Sequence, residues 1–249
     1  MEIFKHKDLE LRSNDDGTYS VVGCDKKAKR VCIPVRVNGK AVSEIDDEAF
    51  AGCEGLEELE FEEQSLDDYE PEYMKRIGEY AFCACKRLKS IDIPDSVYSI
   101  ERGAFSECIS LESVVFSKDA FVGSYAFTHC EKLRSISPIS VISEGVLSYC
   151  KELETVIMVG VSEICEDAFY HCESLRCIVI PSSVKRIEAL AFRGDSSLLS
   201  VEFECADNWF SAVSYTDKES ALDLGDPKRN AEMLSLMDFD DGVIAWYKK

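Results

Sequence analysis

One short pattern recurs along the middle of the chain and leaves little freedom in the fold. Paired Ala-Phe residues fall at Ala49-Phe50, Ala81-Phe82, Ala104-Phe105, Ala126-Phe127, Ala168-Phe169 and Ala191-Phe192, and Val146-Leu147 fills the same place once. Three residues after each Phe stands a Cys: Cys53, Cys85, Cys108, Cys130, Cys150 and Cys172, with Asp195 in the last copy. A leading apolar residue opens each unit: Ile45, Ile77, Ile100, Val122, Ile142, Ile164 and Ile187. The steps between these seven are 32, 23, 22, 20, 22 and 23 residues, so only the first carries an insertion. A unit this small cannot bury its apolar residues alone. Stacked units share one continuous core, each touching only its neighbours.

Within each unit, the stretch beginning at the next Leu has the period of two expected of a half-buried strand. Leu88 to Ile93 and Leu175 to Ile180 are the plainest examples. Pro94 and Pro181 end those strands, because proline brings no ladder donor. A second short strand is predicted near Val97 to Ile100 and Val184 to Ile187, and the Ala-Phe-x-x-Cys segment is predicted to form a turn of helix, α or 3₁₀.

The string IPDSVYSIERGAFSECISLESV, Ile93 to Val114, resembles the BspA-like bacterial leucine-rich repeats. The resemblance runs over roughly residues 19 to 203. It includes a lead-in, Tyr19-Ser20-Val21-Val22-Gly23 and Val37-Asn38-Gly39-Lys40-Ala41-Val42, similar to that family's capping start. The Asn38-Gly39 pair is itself a hairpin-turn signal. The resemblance implies a curved parallel β-solenoid that binds proteins, often as a surface adhesin. The expected fold is an α/β-type repeat solenoid dominated by short parallel strands. It is a curved right-handed leucine-rich-repeat coil with short helical turns and terminal caps. Residues 1–44 form the N-terminal β cap and 45–203 the seven repeats, with an acidic insertion at 62–76. Residues 204–249 form a C-terminal cap, with a helix from Asp226-Pro227 to about Met237 and a strand over Gly242 to Tyr247.

The chemistry expected of the chain is binding, not catalysis. Of twelve cysteines, six hold one repeat position, which reads as reduced core packing and not as a disulfide framework. His129 and His171 share a column two units apart with Tyr149 between them, roughly 10 Å by strand spacing and too far for one metal. No phosphate loop, nucleophile elbow or zinc signature stands out. No cofactor, metal or catalytic residue is therefore expected.

Charge locates the candidate surfaces. Asp+Glu number 48 against 28 Lys+Arg, a formal charge of -20. Such a chain repels nucleic-acid phosphates and suits a basic protein surface. Residues 41–74 hold fourteen acids and no Lys or Arg, whereas residues 1–40 carry nine basic residues against six acids. Glu60, Glu62, Glu63, Asp67, Asp68, Tyr69, Glu70, Glu72 and Tyr73 form the dense part of this block, read as a solvated loop or a docking site for a basic groove. The insertion lacks the Asp-x-Asp-x-Asp-Gly spacing of a calcium loop.

Stacking also lets each repeat column be read as a ladder. One column alternates in sign: Glu57, Lys89, Glu112, Arg134, Glu154, Arg176, then Leu199. The outward column between the buried strand positions reads Glu60, Asp92, Val115, Ser137, Ile157, Val179, Glu202. Val115, Ile157 and Val179 would form an apolar contact stripe on the concave face, or be covered by the C-terminal segment. The N-terminus lacks the apolar run of a secretory signal, and no stretch reaches the length of a membrane span. A cytoplasmic monomer that binds a basic protein, with no direct nucleic-acid or membrane contact, is expected. A mature fragment would instead be secreted or on the cell surface.

Overall fold

The computed structural model describes residues 2–62, 74–213, 219–236 and 243–248. The chain opens with β1 (Ile3–His6), β2 (Leu9–Ser13), β3 (Tyr19–Cys24), β4 (Arg30–Ile33), β5 (Arg36–Val37) and β6 (Lys40–Ile45). The coils contribute β7 (Glu58–Phe61), β8 (Arg76–Ile77), β9 (Ser90–Asp92), β10 (Ser99–Ile100), β11 (Ser113–Val115) and β12 (Phe121–Val122). They continue through β13 (Ser135–Ile136), β14 (Glu163–Ile164), β15 (Cys177–Ile180), β16 (Arg186–Glu188) and β17 (Ser200–Phe203). After the last coil come β18 (Trp209–Val213), β19 (Glu219–Ala221), α1 (Pro227–Ser235) and β20 (Val243–Lys248).

The leading residues set the register of the solenoid. Ile45 pairs with Ile77, Ile77 with Ile100 and Ile100 with Val122, all in parallel. Ile142 bridges to Ile164, and Ile164 pairs with Ile187. Every one of these side chains is buried. Identical β-branched residues stacked on a pleated ladder pack side by side at each rung, and a slip by one residue would turn the column outward.

The other strand column is less regular, and its breaks trace to the sequence. β4 pairs with β7, β9 with β11 and β13, and β15 with β17. Among the described residues no ladder joins β7 to β9, where the long first step leaves the repeat. The second break follows the shortest coil, 20 residues from Val122 to Ile142. There Pro138 stands where other coils place Ile93, Phe116 and Ile180. Ile139 fills the buried slot one residue late and makes a single parallel bridge to Met158.

The Ala-Phe-x-x-Cys segments are not helical, which corrects the expected helical turns. Each is a run of i→i+3 turns, such as Cys85 N–H to Phe82 O at 3.1 Å and Cys108 N–H to Phe105 O at 3.2 Å. Two residues per coil take positive φ, the one before Ala and the one before Cys: Tyr80 and Ala84, Tyr125 and His129, Asp167 and His171. A left-handed residue costs roughly 1–2 kcal/mol and stops a right-handed helix from propagating. The reward is a second ladder. Alternate amides point at the next coil: Tyr80, Phe82 and Ala84 N–H donate to Arg102, Ala104 and Ser106 O at 2.7–2.9 Å. Inside, the Phe rings stack: Phe50 on Phe82 at 4.8 Å, Phe82 on Phe105 at 5.1 Å and Phe105 on Phe127 at 5.4 Å. Leu147 interrupts the column before Phe169 and Phe192 resume it at 5.0 Å. From Cys85 to Cys172, each repeat thiol donates to the carbonyl of the preceding coil's Phe position, as Cys130 to Phe105 O at 3.2 Å.

Both ends of the solenoid are finished by antiparallel strands. At the start, β1, β2 and β3 form an antiparallel run laid on β6. β5 and β6 form the hairpin, with Asn38 and Gly39 both at positive φ. β4 pairs with β7 in parallel, so a repeat-like strand already precedes the first Ala-Phe unit. At the far end β20 pairs antiparallel with β16, setting Trp246 opposite Ile187 and closing the edge. Asp226 caps α1, accepting the N–H groups of Lys228 and Arg229. Buried Asn230 ties α1 to the last coil through Val201 O at 3.0 Å.

Candidate partner-binding surface

The outward strand column is exposed. Val115 on β11 is 53% accessible, Ile157 61% and Val179 on β15 49%, while Val114, Met158 and Ile178 beside them are buried. The described part of the C-terminal segment closes the end of the solenoid and leaves this face open. The column is not one unbroken stripe, however. Val115 pairs with Asp92 and Val179 with Glu202, but Ile157 lies in the stretch outside the ladders. Two further large apolar residues of the coils, Val159 and Leu199, are exposed. Leu199 was legible in sequence as the one apolar residue in a column of charges. Val159 was hidden by the irregular coil.

At the other end, a groove of about 1360 Å³ opens between β7 and β9. Its floor includes Leu59 and Ile91, and its walls carry Glu60, Glu62, Asp92 and Asp95. Glu60 and Asp92 are exposed, and Glu62 accepts the Val35 N–H at 3.0 Å. Glu63, Asp67, Asp68, Tyr69, Glu70, Glu72 and Tyr73 lie outside the described residues.

The surrounding acids are more neutralised than the local sequence count implies, because stacking brings bases from neighbouring coils. Arg12 meets Asp46 at 2.7 Å, Arg76 meets Asp47 at 2.7 Å, Arg30 meets Glu58 at 2.9 Å and Lys86 meets Glu54 at 2.7 Å. Burial pushes the Asp47 carboxyl up, but the Glu79 N–H and the Arg76 guanidinium outweigh it and hold the group below its ordinary value. The alternating charge column does not form its expected ladder throughout. Arg134 turns Nε and Nη2 to Glu152 at 2.9 and 2.8 Å, where one carboxylate oxygen accepts both.

The turn face carries rings. Arg102 donates to Tyr80 Oη and lies over the Tyr125 ring, and Tyr125 donates to Glu144. His129, Tyr149 and His171 stack at 4.3 and 5.2 Å, with Tyr149 between the two imidazoles. Among the described residues no group of three or more His, Cys, Asp and Glu side chains is placed to share a metal.

Six copies of the BspA type leucine rich repeat region match the chain, over residues 32–70, 43–160 and 75–199. The chain belongs to the BspA-type leucine-rich-repeat family. Among solved structures this BspA-type chain is similar to a leucine rich repeat protein of T. pallidum, at 23% identity and a TM-score of 0.54, covering 82% of this chain and 84% of that one. It is also similar to the pneumococcal vaccine antigen PcpA, at 19% identity and a TM-score of 0.53, over 85% of this chain and 52% of the antigen. These likenesses concern the fold. No curated protein matches.

Proposed function

We propose that the chain is a non-catalytic, monomeric module that recognises a protein partner through its outward strand face. The observation that carries this reading is the exposure of Val115 and Val179 on strands whose neighbouring residues Val114 and Ile178 are buried, and of Ile157 beside buried Met158. Exposed apolar side chains flanked by the carboxylates of Glu60, Glu62 and Asp92 give a contact surface with an apolar centre and an acidic end. In sequence the acidic end continues through Glu63, Asp67, Asp68, Tyr69, Glu70, Glu72 and Tyr73. A partner with a basic rim around an apolar patch fits this surface. The likeness to a vaccine antigen favours an extracellular or surface setting.

The net charge of -20 favours a second reading, a cytoplasmic acidic regulator that presents carboxylates where a nucleic-acid-handling protein would bind phosphates. One experiment separates the two. A partner captured from source-cell lysate is rebound to the wild type and to Val115→Asp/Val179→Asp and Glu62→Lys/Glu63→Lys variants, at ~0.05 and ~0.5 M salt. Loss in the first variant with weak salt dependence supports the apolar reading. Loss only in the second, with steep salt dependence, supports the acidic regulator. Unchanged binding by both variants removes this face from the function.

A further inference from the structure

The repeat thiols follow one rule, and its first member breaks it. Cys85, Cys108, Cys130, Cys150 and Cys172 each donate to a backbone carbonyl one coil back, at 3.1–3.3 Å. Cys53 belongs to the first Ala-Phe unit and has no such coil behind it. Cys24, at the end of β3, occupies that place, and the two sulfurs face each other at 2.9 Å. No other pair of sulfurs among the described residues lies within hydrogen-bonding reach. Both are free thiols, Cys53 buried and Cys24 half-buried.

We infer that Cys24 and Cys53 are a disulfide-forming pair that, when oxidised, staples the N-terminal strands to the first turn of the solenoid. The neighbouring elements already hold the two sulfurs against each other, so closure requires no large rearrangement. Of the pair, only Cys24 is open to a reagent. Its thiolate attacks a low-molecular-weight disulfide R–S–S–R, forming Cys24–S–S–R and releasing R–S⁻, which takes up a proton. The Cys53 thiolate then attacks Cys24 Sγ and expels the second R–S⁻. Two S–H bonds are lost, one S–S bond forms, and R–S–S–R is reduced to two R–SH. Hydrogen bonding with Cys53 and burial push the Cys24 thiol up, which makes its first attack the slow step. The repeat thiols from Cys85 to Cys172 are buried in the core, and exposed Cys32 and Cys177 face no second sulfur within hydrogen-bonding reach among the described residues. The link joins positions 24 and 53 and closes a loop across the boundary where the parallel coils begin.

The folded chain is incubated with excess oxidised glutathione, then denatured, alkylated with a maleimide and analysed by intact mass and peptide mapping. The thiols of Cys24 and Cys53 should disappear with no glutathione adduct retained at either, and the cross-linked peptides should contain both, whatever adducts form at exposed Cys32 and Cys177. Cys24→Ser should abolish the cross-link while keeping the reduced protein's urea midpoint. Cys32→Ser, at an exposed thiol nearby in sequence, should leave the link intact. Oxidised wild type should unfold at a higher urea midpoint than reduced, and Cys24→Ser should show no such difference. Surviving thiols at Cys24 and Cys53, a product that stops at a mixed disulfide on Cys24, or a link between another pair would overturn the assignment. A correct cross-link with equal midpoints would overturn the stapling role.

Discussion

Asp195 stands in the thiol column one coil beyond Cys172 and accepts the Cys172 backbone N–H on Oδ1 at 2.8 Å, while its Oδ2 is buried without a partner. Burial pushes this carboxyl well above its ordinary value of 3.8. In the window between that value and the raised folded one, the native state holds a proton that the unfolded chain has released. Stability therefore falls as pH rises through the window, and stays lowered above it.

Asp195→Asn keeps the acceptor for Cys172 and removes the ionisation. It should raise stability at neutral pH by about 1–3 kcal/mol and flatten the loss above pH 3.8. Urea midpoints for both proteins at several pH values check this. Parallel pH profiles would show that Asp195 is not the titrating group.

Gly145 and Gly160 both have positive φ, at 56° and 69°. They differ in surroundings. A Cβ on Gly145 would run into the Tyr125 ring, whereas nothing lies near Gly160. Gly160→Ala should cost about 1 kcal/mol from backbone strain alone, and Gly145→Ala clearly more. Thermal melts of the two variants under one condition give the ordering.

Phe105 is stacked between Phe82 and Phe127. Phe105→Ala should cost about 3–5 kcal/mol through the cavity it leaves. Phe105→Leu should cost far less, because the same column already accepts Leu147. Equal losses for both would mean that ring stacking, not filled volume, holds the column.

Val179→Thr and Leu199→Glu replace exposed side chains that pack against no core. Both should leave the urea midpoint within about 0.5 kcal/mol of wild type while weakening capture of the partner. A large stability loss in either would show that these residues belong to the folding core.

Much of this arrangement was readable in the residues. The Ile45-to-Ile187 column, the buried cysteines and the Asp226-Pro227 helix start each follow from short-range spacing that stacking preserves. The turn geometry was not readable, because Ala-Phe-x-x-Cys carries helix-compatible residues and its left-handed positions are held by carbonyls in the next coil. The slip at Pro138 follows from a coil two residues short, visible as a step of 20 but with no sequence mark for where the slack is taken up. Val31-Cys32-Ile33-Pro34 was legible and overlooked: it matches Ile91-Asp92-Ile93-Pro94, but without an Ala-Phe pair to flag it. The salt bridges of the acidic block join residues about thirty apart, a separation that a local charge count ignores.

The turn ladder also determines how the molecule bears a load. Its amides all point toward the C-terminal end, so tension along the axis pulls straight on hydrogen bonds that act one coil at a time. Stretched from its ends, the chain should unravel in successive steps, each releasing one coil of extended polypeptide at ~3.4 Å per residue. A linkage between Cys24 and Cys53 would hold back the first of those steps and leave the rest unchanged.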